Sequence, residues 1–313
     1  MKISLAPSGV IRKLGTEKAF RVLKEAGFDA CDYPITLYAD SRYAKEGIGE
    51  SLFDLPEKEY IRVFDEVAAM ARKAGMEIAQ THAPYPSNTR DEDVIIITPR
   101  NLRLSRLSIR MTSRLECPYV VIHPAFCHNI NLDLNPEARA RCKAENMAYY
   151  SALIPDLRTY GVRCCLENMY GRDSETRELC PTACSHAAEM CEWIDELNAI
   201  AGEELFCACL DIGHCLITGD DPAAEIRTLG HRLQRVHLHD ARPGWDGHTI
   251  PYLGEVDWVS VAAALRDIGY AGPLNFEADS WPRPFPTELQ EAAVQMSGAA
   301  AKHFRSLVCG RGE

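Results

Sequence analysis

The chain has 313 residues, 46% of them hydrophobic, which is ample for a large buried core. Its 45 acidic and 34 basic residues leave a net charge of −11, so a protein gripping a polyanion through a basic stripe is disfavoured and no nucleic-acid partner is expected. Thirteen cysteines with no Cys-x-x-Cys pair exclude a complete disulfide framework, and no run approaches the eighteen apolar residues of a membrane span.

These limits, with no long apolar stretch in Met1–Val10, lead us to expect a soluble cytoplasmic protein with reduced core cysteines and no membrane partner. Short apolar runs then alternate with longer amphipathic segments. The strands are expected at Ile3–Ala6, Ala30–Tyr33, Ile78–His82, Tyr119–His123, Val162–Glu167, Phe206–Asp211, Val236–His239 and Leu274–Glu277. Helices are expected between them at Thr16–Ala26, Glu57–Ala74, Pro99–Leu115, Pro136–Tyr160, Pro181–Ile200 and Asp257–Ile268, with Thr287–Leu307 closing the chain. Glycines 27, 75 and 269 supply stop signals, and several helices open near a proline, which the first turn tolerates. Eight strands in strict alternation predict a parallel sheet, and eight is the number that closes into a single (β/α)8 barrel over residues 1–313. No Gly-x-Gly-x-x-Gly or phosphate loop follows any strand, which disfavours an open, doubly wound sheet.

The chemistry gathers at the strand ends. The third ends at His82, the fourth at His123, the fifth at Glu167-Asn168, and the sixth at Asp211-Ile212-Gly213-His214. The seventh reads His237-Leu238-His239-Asp240, and the eighth ends at Glu277-Ala278-Asp279. In a barrel these positions form the C-terminal mouth, where active sites sit. Several carboxylates buried together are prohibitively costly without a cation, so one divalent metal is expected. Carboxylates with imidazoles and no thiolate favour Mn²⁺, Mg²⁺, Co²⁺ or Zn²⁺. His237 and His239 share a strand face; His237, the deeper, is the preferred ligand, with His239 or Asp240 supporting it.

Taken together, these strand ends resemble the xylose isomerase-like TIM barrels, which include sugar isomerases, ketose 3-epimerases and the endonuclease IV type of repair enzyme. The resemblance covers nearly the whole chain. It is most specific in Asp211-Ile212-Gly213-His214, in His237-Leu238-His239-Asp240, and in His248 followed by Gly254-Glu255-Val256-Asp257-Trp258. It implies a metal held by Glu167, Asp211, His237 and Glu277, with Mn²⁺ the favoured ion. It further implies acid–base roles for Glu167 and Glu277. The metal would act as a Lewis acid on an open-chain ketose while one glutamate removes a proton and the other returns it, giving epimerisation or isomerisation.

His82, His123, His214, Asp246 and His248 match extra positions that three-zinc repair enzymes use as ligands and sugar-metabolising relatives use to hold hydroxyls. The acidic balance, with Asp91, Glu92, Asp93, Asp220 and Asp221 in loops near the mouth, favours a small sugar substrate over abasic DNA. Arg242 is an expected substrate contact, and Tyr33, Tyr38, Tyr85, Trp245 and Trp281 are candidate pocket walls. A carbohydrate-binding or glycoside-processing subunit needing a partner is the remaining alternative. Homo-oligomerisation is compatible with the sequence but not dictated by it.

Overall fold

The computed structural model describes residues 1–39, 41–85, 97–126 and 129–310. Eight strands form one sheet: β1 (Ile3–Leu5), β2 (Ala30–Pro34), β3 (Glu77–His82), β4 (Tyr119–Val121), β5 (Arg163–Glu167), β6 (Phe206–Asp211), β7 (Leu233–His237) and β8 (Leu274–Phe276). Each pairs in parallel with its neighbour in chain order, and β8 pairs with β1. A parallel bridge between Leu238 and Phe276 joins the two remaining edges, so the sheet closes into a (β/α)8 TIM barrel.

Helices pack outside, and their limits follow local chemistry. Glu57–Ala74 stops at Gly75, whose φ of +63° lies in the left-handed region that a Cβ disfavours. Pro99–Arg114 starts at a capping box in which Thr98 and Asn101 satisfy each other's backbone N–H groups. Phe20, Phe64, Trp193, Phe206 and Phe304 fill the layer between barrel and helices. Among the described residues, no helix is long and apolar enough to cross a membrane.

Two expected helices differ. Pro136–Tyr160 is divided into Pro136–Ser151 and Ile154–Tyr160, because Pro155 has no N–H to continue the ladder. Pro181–Ile200 starts only at Ala187, and Leu179–Pro181 instead pairs antiparallel with Tyr170–Arg172 in a hairpin over the mouth. A second hairpin, Asp240–Arg242 with Trp245–Thr249, stands beside it. Four helices go beyond the expected set: Ser8–Leu14, Ser41–Glu46, Ile212–Thr218 and Pro222–Leu229. Asp211 and Asp221 cap the last two, each accepting a backbone N–H in the first turn.

The arginines of Pro99–Arg114 pair with neighbouring elements: Arg106 with Asp156, Arg110 with Glu57 and Arg114 with Asp65. They tie helices together. Among the described residues the cysteines are free, and all but Cys191 and Cys309 are buried.

Candidate metal centre and active site

Strands β3 to β8 bring their terminal polar side chains to one end of the barrel. His237 lies at the centre, fully buried. Its Nδ1 is 2.9 Å from Glu167 Oε1 and 2.8 Å from Glu277 Oε2, while its Nε2 is 3.2 Å from Asp32 Oδ2. The donor atoms of Glu167, Asp211, His237 and Glu277 all lie within 4.8 Å of one another. The second oxygen of Glu167 faces His123 Nε2 at 2.9 Å and His82 Nε2 at 3.3 Å, but it takes no well-formed hydrogen bond.

A second group lies beside the first. His239 Nε2 meets both oxygens of Asp211, at 2.9 and 3.0 Å, and its ring stacks on His248 at 4.1 Å between centroids. His248 Nε2 is 3.1 Å from Asp246 Oδ2, and Tyr170 donates its hydroxyl proton to that same oxygen at 2.7 Å. The donors of His214, His239, Asp246 and His248 also lie within 4.8 Å of one another. Asn168 links the groups: its amide brackets the Asp211 backbone, and its carbonyl faces His214 Nδ1 at 2.7 Å.

Burial opposes charge on all these groups, yet the neighbouring fields decide most of them. Glu167 is held well below the usual carboxylate range despite burial, because His237 and His123 face it. Glu277 is held low against burial by His237 and His248, and Asp246 by His248 and His214. Burial pushes His82 down, but Glu167 pulls it up to about 9; His123 shares the same oxygen and falls, since burial prevails there. Glu167, Glu277 and Asp246 are therefore anionic. Two of them press against one imidazole nitrogen, and buried oxygens of Glu167 and Asp246 lack hydrogen-bond partners. A divalent cation would relieve that crowding, so the donor set fits a hard or borderline metal.

A cavity of about 410 Å³ opens above the cluster. His123, Glu167, His214, Asp246, His248 and Glu277 form its polar floor. Tyr85, Phe126, Met169, Tyr170 and Leu179 line its sides, with Arg172 at the rim.

Several of the expected residues stand away from the cavity. Arg242 does not line the cavity; it is exposed on the second hairpin, stacked over Trp245 at 4.6 Å. Arg172, overlooked because it lies in a segment adjoining an expected helix, takes the rim position. Asp240 turns away from the cluster, accepting from the backbones of Tyr252 and Val256 and from the indole of Trp258. It thus anchors the Gly254–Trp258 segment. Of the five candidate aromatic walls only Tyr85 lines the cavity: Tyr33 and Tyr38 bond to each other among core aromatics, and the Trp281 indole donates to the Ala293 carbonyl. Asp220 pairs with His186, a structural role, and Asp91, Glu92 and Asp93 lie outside the described residues.

Comparison with known proteins agrees with this architecture. The family model described as xylose isomerase-like TIM barrel matches residues 20–297, and the chain belongs to that family. Among curated relatives it is 28% identical to an inosose dehydratase of Clostridium botulinum (strain Alaska E43 / Type E3), over 29% of this chain and 36% of the relative. It is 37% identical to an L-ribulose 3-epimerase of Methylomonas sp. (strain DH-1), over 23% of each chain. The chain thus spans 36% of the first relative's length and 23% of the second's. Whole-chain likeness appears among solved structures. D-psicose 3-epimerase from Clostridium cellulolyticum H10, solved with D-tagatose, superposes with a TM-score of 0.68 at 14% identity, covering 98% of this chain and 99% of that one. IOLI protein with a bound zinc atom gives 0.66 at 14% identity, covering 99% of each chain.

Proposed function

We propose that this chain is a divalent-metal-dependent isomerase or epimerase of sugars or sugar derivatives. One observation carries the reading: Glu167 and Glu277 flank a single nitrogen of His237, at 2.9 and 2.8 Å, on the floor of a cavity rich in hydroxyl-matching groups. Glu167, Asp211, His237 and Glu277 are the residues that would hold the metal, with Mn²⁺ favoured and Mg²⁺, Co²⁺ or Zn²⁺ as alternatives. When bound, a divalent cation supplies Lewis-acid charge beside a substrate carbonyl and acidifies the adjacent C–H.

Glu277, whose side chain is 16% exposed against 2% for Glu167, takes the proton first. Glu167 returns one. Return to the same carbon from the opposite face inverts it, and return to its neighbour moves the carbonyl. His123, His214 and His248 orient substrate hydroxyls, Asp246 accepts from one, and Tyr85 and Tyr170 exclude water from the bound chain.

The second donor group, His214 with His239, Asp246 and His248, favours one competing reading, a multi-metal phosphodiesterase. Metal content of the purified protein separates the two: one ion per chain supports the sugar enzyme, and three zinc ions sink it. A panel of ketoses assayed with added Mn²⁺ then tests the reaction. Glu277→Gln should lower kcat by about 10²–10⁴-fold. Turnover left intact in that variant would refute the two-glutamate scheme.

A further inference from the structure

Beneath the cluster the barrel interior is polar. Ser4 of β1, Asp32 of β2, Gln80 of β3 and Asn275 of β8 are each at most 1% exposed and occupy adjacent strands, with Ser4 opposite Asn275 and Asp32 opposite Gln80 in register. Branched apolar side chains normally fill a barrel at this depth. An isolated carboxylate is the least favourable filling, since burial strips its hydration. Asp32 is nevertheless there, and Oδ2 has three neighbours: Gln80 Nε2 at 2.9 Å, Asn275 Nδ2 at 3.2 Å and His237 Nε2 at 3.2 Å. Two neutral amide donors hold the carboxylate in place, and the third contact is the imidazole of the candidate ligand.

That geometry gives the ring a direction. Its Nε2 edge faces Asp32 Oδ2 at 3.2 Å and the Gln80 amide nitrogen at 2.9 Å, and its Nδ1 edge faces Glu167 and Glu277. If a proton occupies Nδ1, it is donated to those two glutamates, and no lone pair is available on that side. With the proton on Nε2, the charged Asp32 accepts it, the Gln80 amide donates to Asp32 instead of to the ring, and Nδ1 presents a lone pair where the carboxylates converge. A carboxylate behind a histidine fixes the tautomer and ring angle and strengthens the ring as a donor.

We propose that Asp32 is a positioning residue. It holds His237 as the Nε2–H tautomer with Nδ1 aimed at the cation site, while Gln80 and Asn275 hold Asp32. The inference rests on the metal-dependent reading above. Its sequence mark is one acidic residue inside the otherwise uncharged strand Ala30–Pro34.

The test compares wild type with Asp32→Asn, which keeps the shape and removes the charge, after chelation of both proteins. Mn²⁺ affinity, read from the free-ion electron paramagnetic resonance signal, should weaken about 10–100-fold. Nitrogen-15 spectra of the Zn²⁺-loaded proteins should show His237 as a single Nε2–H tautomer in wild type and lose that state in the variant. A structural role alone would lower the unfolding temperature of the metal-free variant and leave both affinity and tautomer unchanged; that result overturns the proposal. Should Asp32→Asn fail to fold, Asn275→Leu removes one of the donors that hold Asp32 and should weaken Mn²⁺ binding at least about threefold; unchanged affinity in that variant also overturns it. Wild-type protein that binds no divalent cation refutes the metal reading itself, a different failure from equal binding by wild type and variant.

Discussion

Gly213→Ala is the substitution on which simple rules and this structure disagree most. Gly213 lies in the first turn of Ile212–Thr218, where alanine should stabilise the helix by about 1 kcal/mol. A Cβ at that position would lie inside the His239 ring, 2.6 Å from Nε2 and 2.7 Å from Nδ1. The ring has nowhere to retreat: it is fully buried, bonded to both Asp211 oxygens and stacked against His248. Restoring ordinary contact distance requires a shift of about 1 Å or more, which costs about 1–3 kcal/mol of overpacking. Loosening the bond to a charged partner adds about 1.5–3 kcal/mol. After the helix gain, the net loss is about 1.5–5 kcal/mol, a fall in melting temperature of roughly 2–8 °C for a chain of 313 residues. Thermal unfolding in excess chelator measures it without contribution from bound metal. A variant at least as stable as wild type would refute the packing argument.

Two further outcomes follow from groups outside the donor cluster. His186 bridges Asp220 at 2.9 Å and Asp133 at 3.1 Å, and its hydrogen bond to Asp220 outweighs burial and raises it to about 9. A raised folded-state value means that this tie is fully present below about pH 6.5 and is lost as pH rises through about 9. Its worth is at most about 3 kcal/mol, reduced to roughly 1–2 kcal/mol by its partly solvated setting. His186→Gln should therefore flatten the decline of chelated-protein stability between pH 6.5 and 9; an unchanged slope would count against the bridge. Arg172→Ala should raise KM several-fold, since Arg172 is at the cavity rim, whereas Arg242→Ala should leave kcat and KM as they were. Steady-state kinetics giving the reverse order would show that the rim is assigned to the wrong hairpin.

Much of the barrel can be read along the chain. Phe206–Asp211 is the same in expectation and structure, and the other seven strands overlap their expected spans, because an apolar run bounded by helix stop signals is a local pattern. The polar strand ends are legible for the same reason: Glu167 and Asp211 each interrupt an apolar run at its last residue. The hairpin Tyr170–Arg172 with Leu179–Pro181 was not legible, since Pro181 satisfies the rule for opening a helix equally well. What carries the segment away from helix is a turn in which Ser185 Oγ accepts the Thr182 N–H, and this places Arg172 at the cavity.

The sequence by itself determined the alternation of strands and helices and which residue types reach the strand ends, because both depend on neighbours a few positions apart. It could not divide those residues into groups. Only closure of the barrel brings Asp32 within 3.2 Å of His237, a residue 205 positions later, and sends His239 to Asp211 while His237 faces Glu167 and Glu277. The turns between strands, likewise, decide that Asp240 clamps a loop and Arg242 faces solvent. Side-chain direction near a strand end depends on where the neighbouring strands and loops stand, and that is a property of the closed sheet.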